Sequence, residues 1–351
     1  MEENLLPVGT IAAVRVNRIH TQPRPGARAR SLVANEVVKG VLGTVPVEAD
    51  GSVCFRVPSG EPLQFQALDR QGRAVMTMRS FTFLQPGEVQ GCVGCHEPRN
   101  STPFMKSIMP VGLTPRALTP PDYGGDGMPL HFRKIVQPVL DRHCIACHGL
   151  TRTEGGVILT SLATVAGKPK PGGDFSPAYG ALADEKKGYV KLAHRNRETV
   201  PSRPDDYFAR AGKLYDIITV KHKDRVHLSA DDLRRVVEWL DLNCQYCSYE
   251  GDQFVSINPN TEQALRQQIA KTFGEVVSKQ PIQALVNDAA PEESRILKAP
   301  LAVSASGWGQ IDPQWKSIQD EGYQKMLALV QSALPSTPTR QDSKSTTVFQ
   351  K

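Results

Sequence analysis

Two stretches, Cys92-Val-Gly-Cys95-His96 and Cys144-Ile-Ala-Cys147-His148, carry the spacing C-x-x-C-H. Two thiols three residues apart can add across the two vinyl groups of one porphyrin. The histidine that follows is then placed to bind the iron from the proximal face. With 7 Cys and 8 His in 351 residues, one such match is expected by chance about 0.003 times. A zinc knuckle would want four ligands, and neither it nor a redox C-x-x-C needs a histidine directly after the second cysteine. The two motifs therefore predict two covalently attached haem c groups. Cys92, Cys95, Cys144 and Cys147 hold the porphyrins, and His96 and His148 bind the irons.

Other residues of the same chemical types fit less sharply. Cys244-Gln-Tyr-Cys247 is followed by Ser248 and so lacks an iron ligand; with Cys54 it leaves three unassigned thiols. They read as a local disulfide, as buried thiols or as a further metal site. His131 and His143 flank the segment that leads into the second motif, and His20 and His194 lie in polar loops; all four read first as structural or solvated. Met105 and Met109 follow the first motif, where a methionine ligand would raise the potential of that haem, although loop packing is the simpler reading. No nucleophile–base constellation is visible, and the charged run from Lys221 to His227 reads as a solvated turn.

The elements that must position these residues change character along the chain. Residues 1–90 read as short strands: Val45 to Ala49 runs into the turn signal Asp50-Gly51. Val53, Phe55 and Val57 alternate with polar neighbours, as do Leu63, Phe65 and Ala67, and Met76 and Met78 continue the pattern. This spacing predicts a small β-sandwich. Residues 91–250 predict a mainly α, loop-rich dihaem region. Phe132, Ile135, Val136, Val139 and Leu140 recur at helical spacing around Pro138 and lead into Cys144. Leu214, Ile217 and Ile218 mark a short helix ending near His222. Ser229 caps a helix with Asp231 and Asp232 in its first turn and an apolar face at Leu233, Val236, Val237 and Leu240. Residues 251–334 predict a helical extension, and the Ser/Thr/Lys-rich residues 335–351 a disordered tail. The fold class expected is α+β.

Composition narrows the function. The net charge of +6 is mild and its lysines and arginines are scattered, with no basic run suited to nucleic acid. No stretch of 18 apolar residues is present for a membrane span. Aromatics are only 6%, so a large non-protein hydrophobe would help fill the cores. Covalent haem attachment takes place outside the cytoplasmic membrane, which predicts a periplasmic or otherwise extracytoplasmic protein. The opening residues, acidic and broken by Pro7 and Gly9, make a poor secretory signal. The expectation is therefore that these residues are part of a longer chain.

At Pro62–Asp69, Met78–Ser80 and Pro86–Glu88, leading into the first motif, the sequence resembles the hydrazine synthase alpha-subunit-like family. So do Ile135–Asp141 before the second motif and Trp239–Asn243, with weaker echoes at Glu293–Leu297 and Gly307–Gly309. The resemblance spans roughly residues 35–250 and implies a β middle domain followed by a dihaem cytochrome c domain. Family members usually carry a β-propeller ahead of these, which the 351 residues do not include. In the synthases a tyrosine four residues after the motif histidine holds the first iron; here that position is Asn100, so His96 is expected to bind in the ordinary way. The second haem of the family is bis-histidine, and His222 matches the place of the distal ligand, with His227 the near alternative.

The function expected is electron transfer by a dihaem c-type module that works with a redox partner protein or partner subunit. The rival expectation is a haem-dependent oxidoreductase subunit related to hydrazine synthase alpha, with one open-faced catalytic haem. A zinc-stabilised interaction module is the third reading.

Overall fold

A computed structural model of the chain describes residues 6–22, 31–33, 36–92, 114–161, 175–194, 203–247, 259–280, 282–287 and 289–334. The chain divides into two compact units, Met1–Ala163 with Gly167–Gln253, and Thr164–Ala166 with Phe254–Lys351.

In the first unit, β1 (Ala13–Ile19), β2 (Lys39–Pro46), β3 (Leu63–Leu68) and β4 (Ala74–Thr77) form one antiparallel sheet in the order β2-β1-β3-β4. One face carries a small apolar core of Val16, Leu42 and Leu63, backed by Phe55, Phe65 and Leu84. The other face is polar yet buried: Arg15, Asn17, Gln64 and Gln66 are all nearly inaccessible. The expected sandwich is therefore a single sheet among the described residues. The alternation Leu63-Gln-Phe-Gln-Ala67 reads as one dry and one wet face, but helical chain covers the polar side. Arg15 Nη1 donates to Asp241 Oδ2 at 2.9 Å and to Gln66 Oε1 at 3.0 Å, and Gln66 Nε2 donates to the Asp241 carbonyl at 2.9 Å. The expected strand around Val53–Val57 reduces to an isolated bridge between Phe55 and Arg116. Its backbone partner is the incoming loop rather than another strand of the sheet.

The helices of this unit are α1 (Phe132–Ile135), α2 (Gln137–His143), α3 (Pro177–Leu182), α4 (Phe208–Ala211), α5 (Leu214–Asp216) and α6 (Ala230–Asp241). The break between α1 and α2 falls at Val136, with Pro138 in the first turn of α2, where its missing N–H costs nothing. Ser229 caps α6 by accepting from the Asp232 N–H at 3.0 Å. An aromatic cluster packs here. Phe132 lies 5.1 Å from Trp239 and 5.3 Å from Tyr179, and Tyr179 lies 4.7 Å from Tyr246. Edge-on and tilted packing at such distances suits the ring quadrupoles.

The second unit has α7 (Pro259–Phe273), α8 (Glu275–Ser278), α9 (Arg295–Lys298) and α10 (Glu321–Ala333). Leu265, Ile269, Leu297, Trp315, Met326 and Val330 form its core. Among the described residues no helix is long and apolar enough to cross a membrane.

Candidate haem-binding site

The second motif is built on the end of α2. The Cys144 N–H donates to the Leu140 carbonyl at 2.8 Å, closing the helix. The Cys144 carbonyl then accepts from Cys147 N at 3.1 Å and His148 N at 2.9 Å. Both thiols and the imidazole are thereby held on one tight turn. Burial, the neighbouring Asp141 carboxylate and Cys147 push the Cys144 thiol up to about 12. It is a neutral thiol at ordinary pH, whereas a metal-binding sulfur is a thiolate.

The chain beyond the motif folds back on it. The Glu154 N–H donates to the Cys147 carbonyl at 3.0 Å, and the Thr153 hydroxyl donates to the Gly149 carbonyl at 2.9 Å. The His148 Nδ1–H donates to the Glu154 carbonyl at 3.0 Å. That bond fixes the tautomer and leaves the Nε2 lone pair as the donor. A side chain at Gly149 would put Cβ 2.5 Å from the Ile145 carbonyl oxygen, so the turn needs glycine there.

His222 reaches the same place from another element. α5 continues into a π-helical turn over Ile217–Lys221, and His222 ends it. The Ile217 carbonyl accepts both the His222 N–H at 2.9 Å and its ring Nδ1–H at 3.0 Å, again leaving Nε2 as the donor. The His148 and His222 rings lie 6.3 Å apart between centres, inclined at 46°. An imidazole nitrogen sits about 2.0–2.1 Å from a metal and about 1.1 Å from its ring centre, so two rings on opposite sides of one metal have centres about 6.3 Å apart. Among the described residues no group of three or more His, Cys, Asp or Glu side chains is arranged to hold a metal ion. Two imidazoles with ring centres 6.3 Å apart, each with its Nε2 left unprotonated, stand beside the Cys144–Cys147 pair, and these are the residues that could hold a haem.

The remaining candidates separate. Cys92 is an exposed free thiol, and Cys95, His96, Asn100, Met105 and Met109 lie outside the described residues. His227 is exposed on the turn before α6. His143 Nε2 pairs with Asp232 Oδ2 at 2.9 Å, His194 Nε2 with Glu185 Oε2 at 2.7 Å, and the His20 Nε2–H donates to the Gly127 carbonyl at 2.7 Å. The His131 ring centre lies 6.4 Å from that of Tyr246. Cys244 and Cys247 are buried, and the Cys244 carbonyl accepts from the Tyr179 hydroxyl at 2.6 Å. Sequence reading missed Gly149, Glu154 and the Ile217 carbonyl. A glycine directly after the motif was the one available signal, since backbone acceptors leave no trace in residue type.

Comparison with known proteins adds three findings. Residues 10–97 match the family model of the hydrazine synthase alpha subunit middle domain, a segment that covers all four strands and ends one residue past the first motif. Hydrazine synthase subunit alpha of Kuenenia stuttgartiensis is 24% identical over 280 residues, 62% of this chain and 34% of that protein. The chain therefore spans about a third of the length of this curated relative. A solved structure of Kuenenia stuttgartiensis hydrazine synthase aligns with a TM-score of 0.43 and 18% identity, over 71% of this chain and 40% of that one.

Proposed function

This chain is related to the hydrazine synthase alpha-subunit family, and from that premise we propose that it is an extracytoplasmic dihaem c-type module that transfers electrons. The observation that carries the reading is the His148–His222 pair, 6.3 Å apart with each Nδ1–H engaged by a backbone carbonyl. Cys144 and Cys147 hold the second porphyrin; His148 is its proximal ligand and His222 its distal one. Cys92 and Cys95 hold the first, with His96 as its proximal ligand. A haem bound in this way supplies a one-electron carrier whose potential follows its axial ligands and burial. The protein's part is to hold both imidazoles in place so that the ligand set is the same before and after electron transfer, which keeps reorganisation small.

The partner is a redox protein or a further subunit, in keeping with a relative that is itself named as a subunit. That relative also favours a second reading, an oxidoreductase subunit whose first haem keeps an open face. Asn100, standing where the synthases place a tyrosine ligand, weighs against the synthase chemistry itself.

The test is protein matured in a periplasm. Acid–acetone should leave two equivalents of haem on the polypeptide, and the visible spectrum should be low-spin for the haem on Cys144 and Cys147. Two low-spin haems favour electron transfer; a high-spin first haem favours the oxidoreductase. Haem released by acid–acetone would sink both.

A further inference from the structure

A cavity of about 330 Å³ opens beside β3 and β4, within the first unit, and among the described residues Cys92, Cys144, Cys147, His148 and His222 do not line it. Its volume falls in the range of small-molecule sites. Two buried groups on its lining are incompletely matched. Gln64 is 4% exposed; its Nε2 donates to the Met78 carbonyl at 2.8 Å, but its Oε1 accepts from nothing among the described residues. Lys39, equally buried, has one partner for its ammonium among the described residues, Glu36 Oε1 at 2.8 Å, although the group carries three N–H donors.

Both oxygens of the Glu36 carboxylate are themselves engaged. Oε2 accepts from Asn243 Nδ2 at 2.6 Å, and Oε1 also accepts from the Val37 N–H at 3.0 Å. Of the other charged residues on the lining, Asp241 is paired with Arg15, and Arg79 and Arg203 are exposed at its edge, so the two buried, incompletely matched groups ask for a neutral guest that can donate to Gln64 and accept from Lys39. A carboxylate lacks the donor, and an ammonium lacks the acceptor. A primary carboxamide presents both side by side.

The walls suit a flat body behind that amide. Tyr207 and Phe208, their ring centres 6.0 Å apart, are part of the lining, as are Met76 and Met78. Thioethers and aromatic faces pack well on a planar ring. Phe208 holds φ at +66°, a conformation that bulky side chains avoid. Such strain is kept where the surrounding structure holds a side chain in a required position.

From these features we propose that the cavity is a binding site for a small planar primary carboxamide, held by Lys39 and Gln64 and stacked beside Tyr207 and Phe208. This goes beyond the haem reading and does not depend on it.

The experiment uses the full chain and three probes that share one ring: nicotinamide, nicotinate and 3-(aminomethyl)pyridine. Methyl-labelled methionine allows Met76 and Met78 to report by NMR on the wild-type protein. Nicotinamide should shift both methyl resonances, with a Kd of about 1 mM or tighter. The carboxylate and the amine should bind at least about tenfold more weakly, because each leaves one buried group unmatched. Gln64→Leu should weaken nicotinamide by about tenfold, and Tyr207→Ala, which leaves the polar contacts in place, by a smaller factor. The proposal is overturned if nicotinamide leaves both methyls unmoved at about 50-fold that concentration. It is equally overturned if nicotinate matches nicotinamide, or if neither substitution changes the affinity.

Discussion

The Ile217 carbonyl receives two hydrogen bonds from His222, one from the backbone N–H at 2.9 Å and one from the ring at 3.0 Å. The first exists because the turn is π-helical rather than α-helical, and the second because that wider turn brings the ring back over the same oxygen. The placement of His222, its ring centre 6.3 Å from that of His148, thus depends on a single extra residue in one turn.

His222→Ala should leave the iron of the haem at Cys144 and Cys147 with a free or water-filled sixth position. The expected readout is a high-spin band and carbon monoxide binding at one haem, with covalent haem content unchanged. His227→Ala should leave the spectrum alone. The reverse pattern would mean that the distal ligand is His227.

Gly149→Ala places a methyl group 2.5 Å from the Ile145 carbonyl oxygen, and the turn must shift to relieve it. We expect a loss of about 1–3 kcal/mol. Gly180→Ala is the matched control: it lies within α3 and its Cβ would meet nothing within 4 Å, so it should be neutral or stabilising by up to about 1 kcal/mol. Equal effects in urea unfolding would remove the case for a required glycine at position 149.

Arg15 is 1% exposed and faces both Asp241, at 2.9 Å, and Glu238, at 3.9 Å. Burial raises both carboxyls against the pull of the guanidinium. Arg15→Leu should cost about 3–5 kcal/mol because it leaves buried charge unpaired. Adding Asp241→Asn removes one of those charges and keeps a carbonyl for one of the two backbone amides that Asp241 accepts from, Ala74 N–H at 2.9 Å and Ala209 N–H at 3.3 Å, so the double variant should recover part of the loss. A double variant weaker than Arg15→Leu alone would show that hydrogen bonding, not charge, dominates there.

Asp232 sits below its ordinary value of 3.8: burial alone would raise it, but the hydrogen bond from His143 and the charge of Arg142 outweigh burial. A carboxyl whose folded value is depressed stabilises the fold above its unfolded value and loses that contribution as pH falls through the folded one. Asp232→Asn should cost about 1.5–3 kcal/mol at neutral pH, and its gap to the parent should narrow below about pH 4. A gap that stays constant from pH 7 to pH 3 would show that the ionised carboxylate is not its source.

Much of the local structure is legible in residue order. The Ser229 cap, the break at Val136 ahead of Pro138, and the alternation of Leu63, Phe65 and Ala67 depend on neighbours within a few positions. The structure forms α6, α2 and β3 there. The same alternation misleads about what covers the sheet. Gln64 and Gln66 carry the mark of a wetted face, yet both are buried, and Gln66 donates to Asp241, far away in the chain. A long-range ion pair leaves no periodic signature in either segment.

The site divides along the same line. Spacing alone determines that Cys144, Cys147 and His148 can serve one porphyrin, because thiol-to-thiol reach is set by three residues of covalent chain. Which histidine lies beside His148 was decided in three dimensions. His222 and His227 are five residues apart in similar charged surroundings, and the structure puts the His222 ring, at the end of the π-helical turn Ile217–Lys221, 6.3 Å from that of His148 while His227 is exposed. Likewise the glutamine that lines the cavity reads as an ordinary strand residue until tertiary packing buries its oxygen without a donor. Covalent reach is local and so is written in order and spacing; facing, burial and unmatched hydrogen bonds are properties of distant segments brought together.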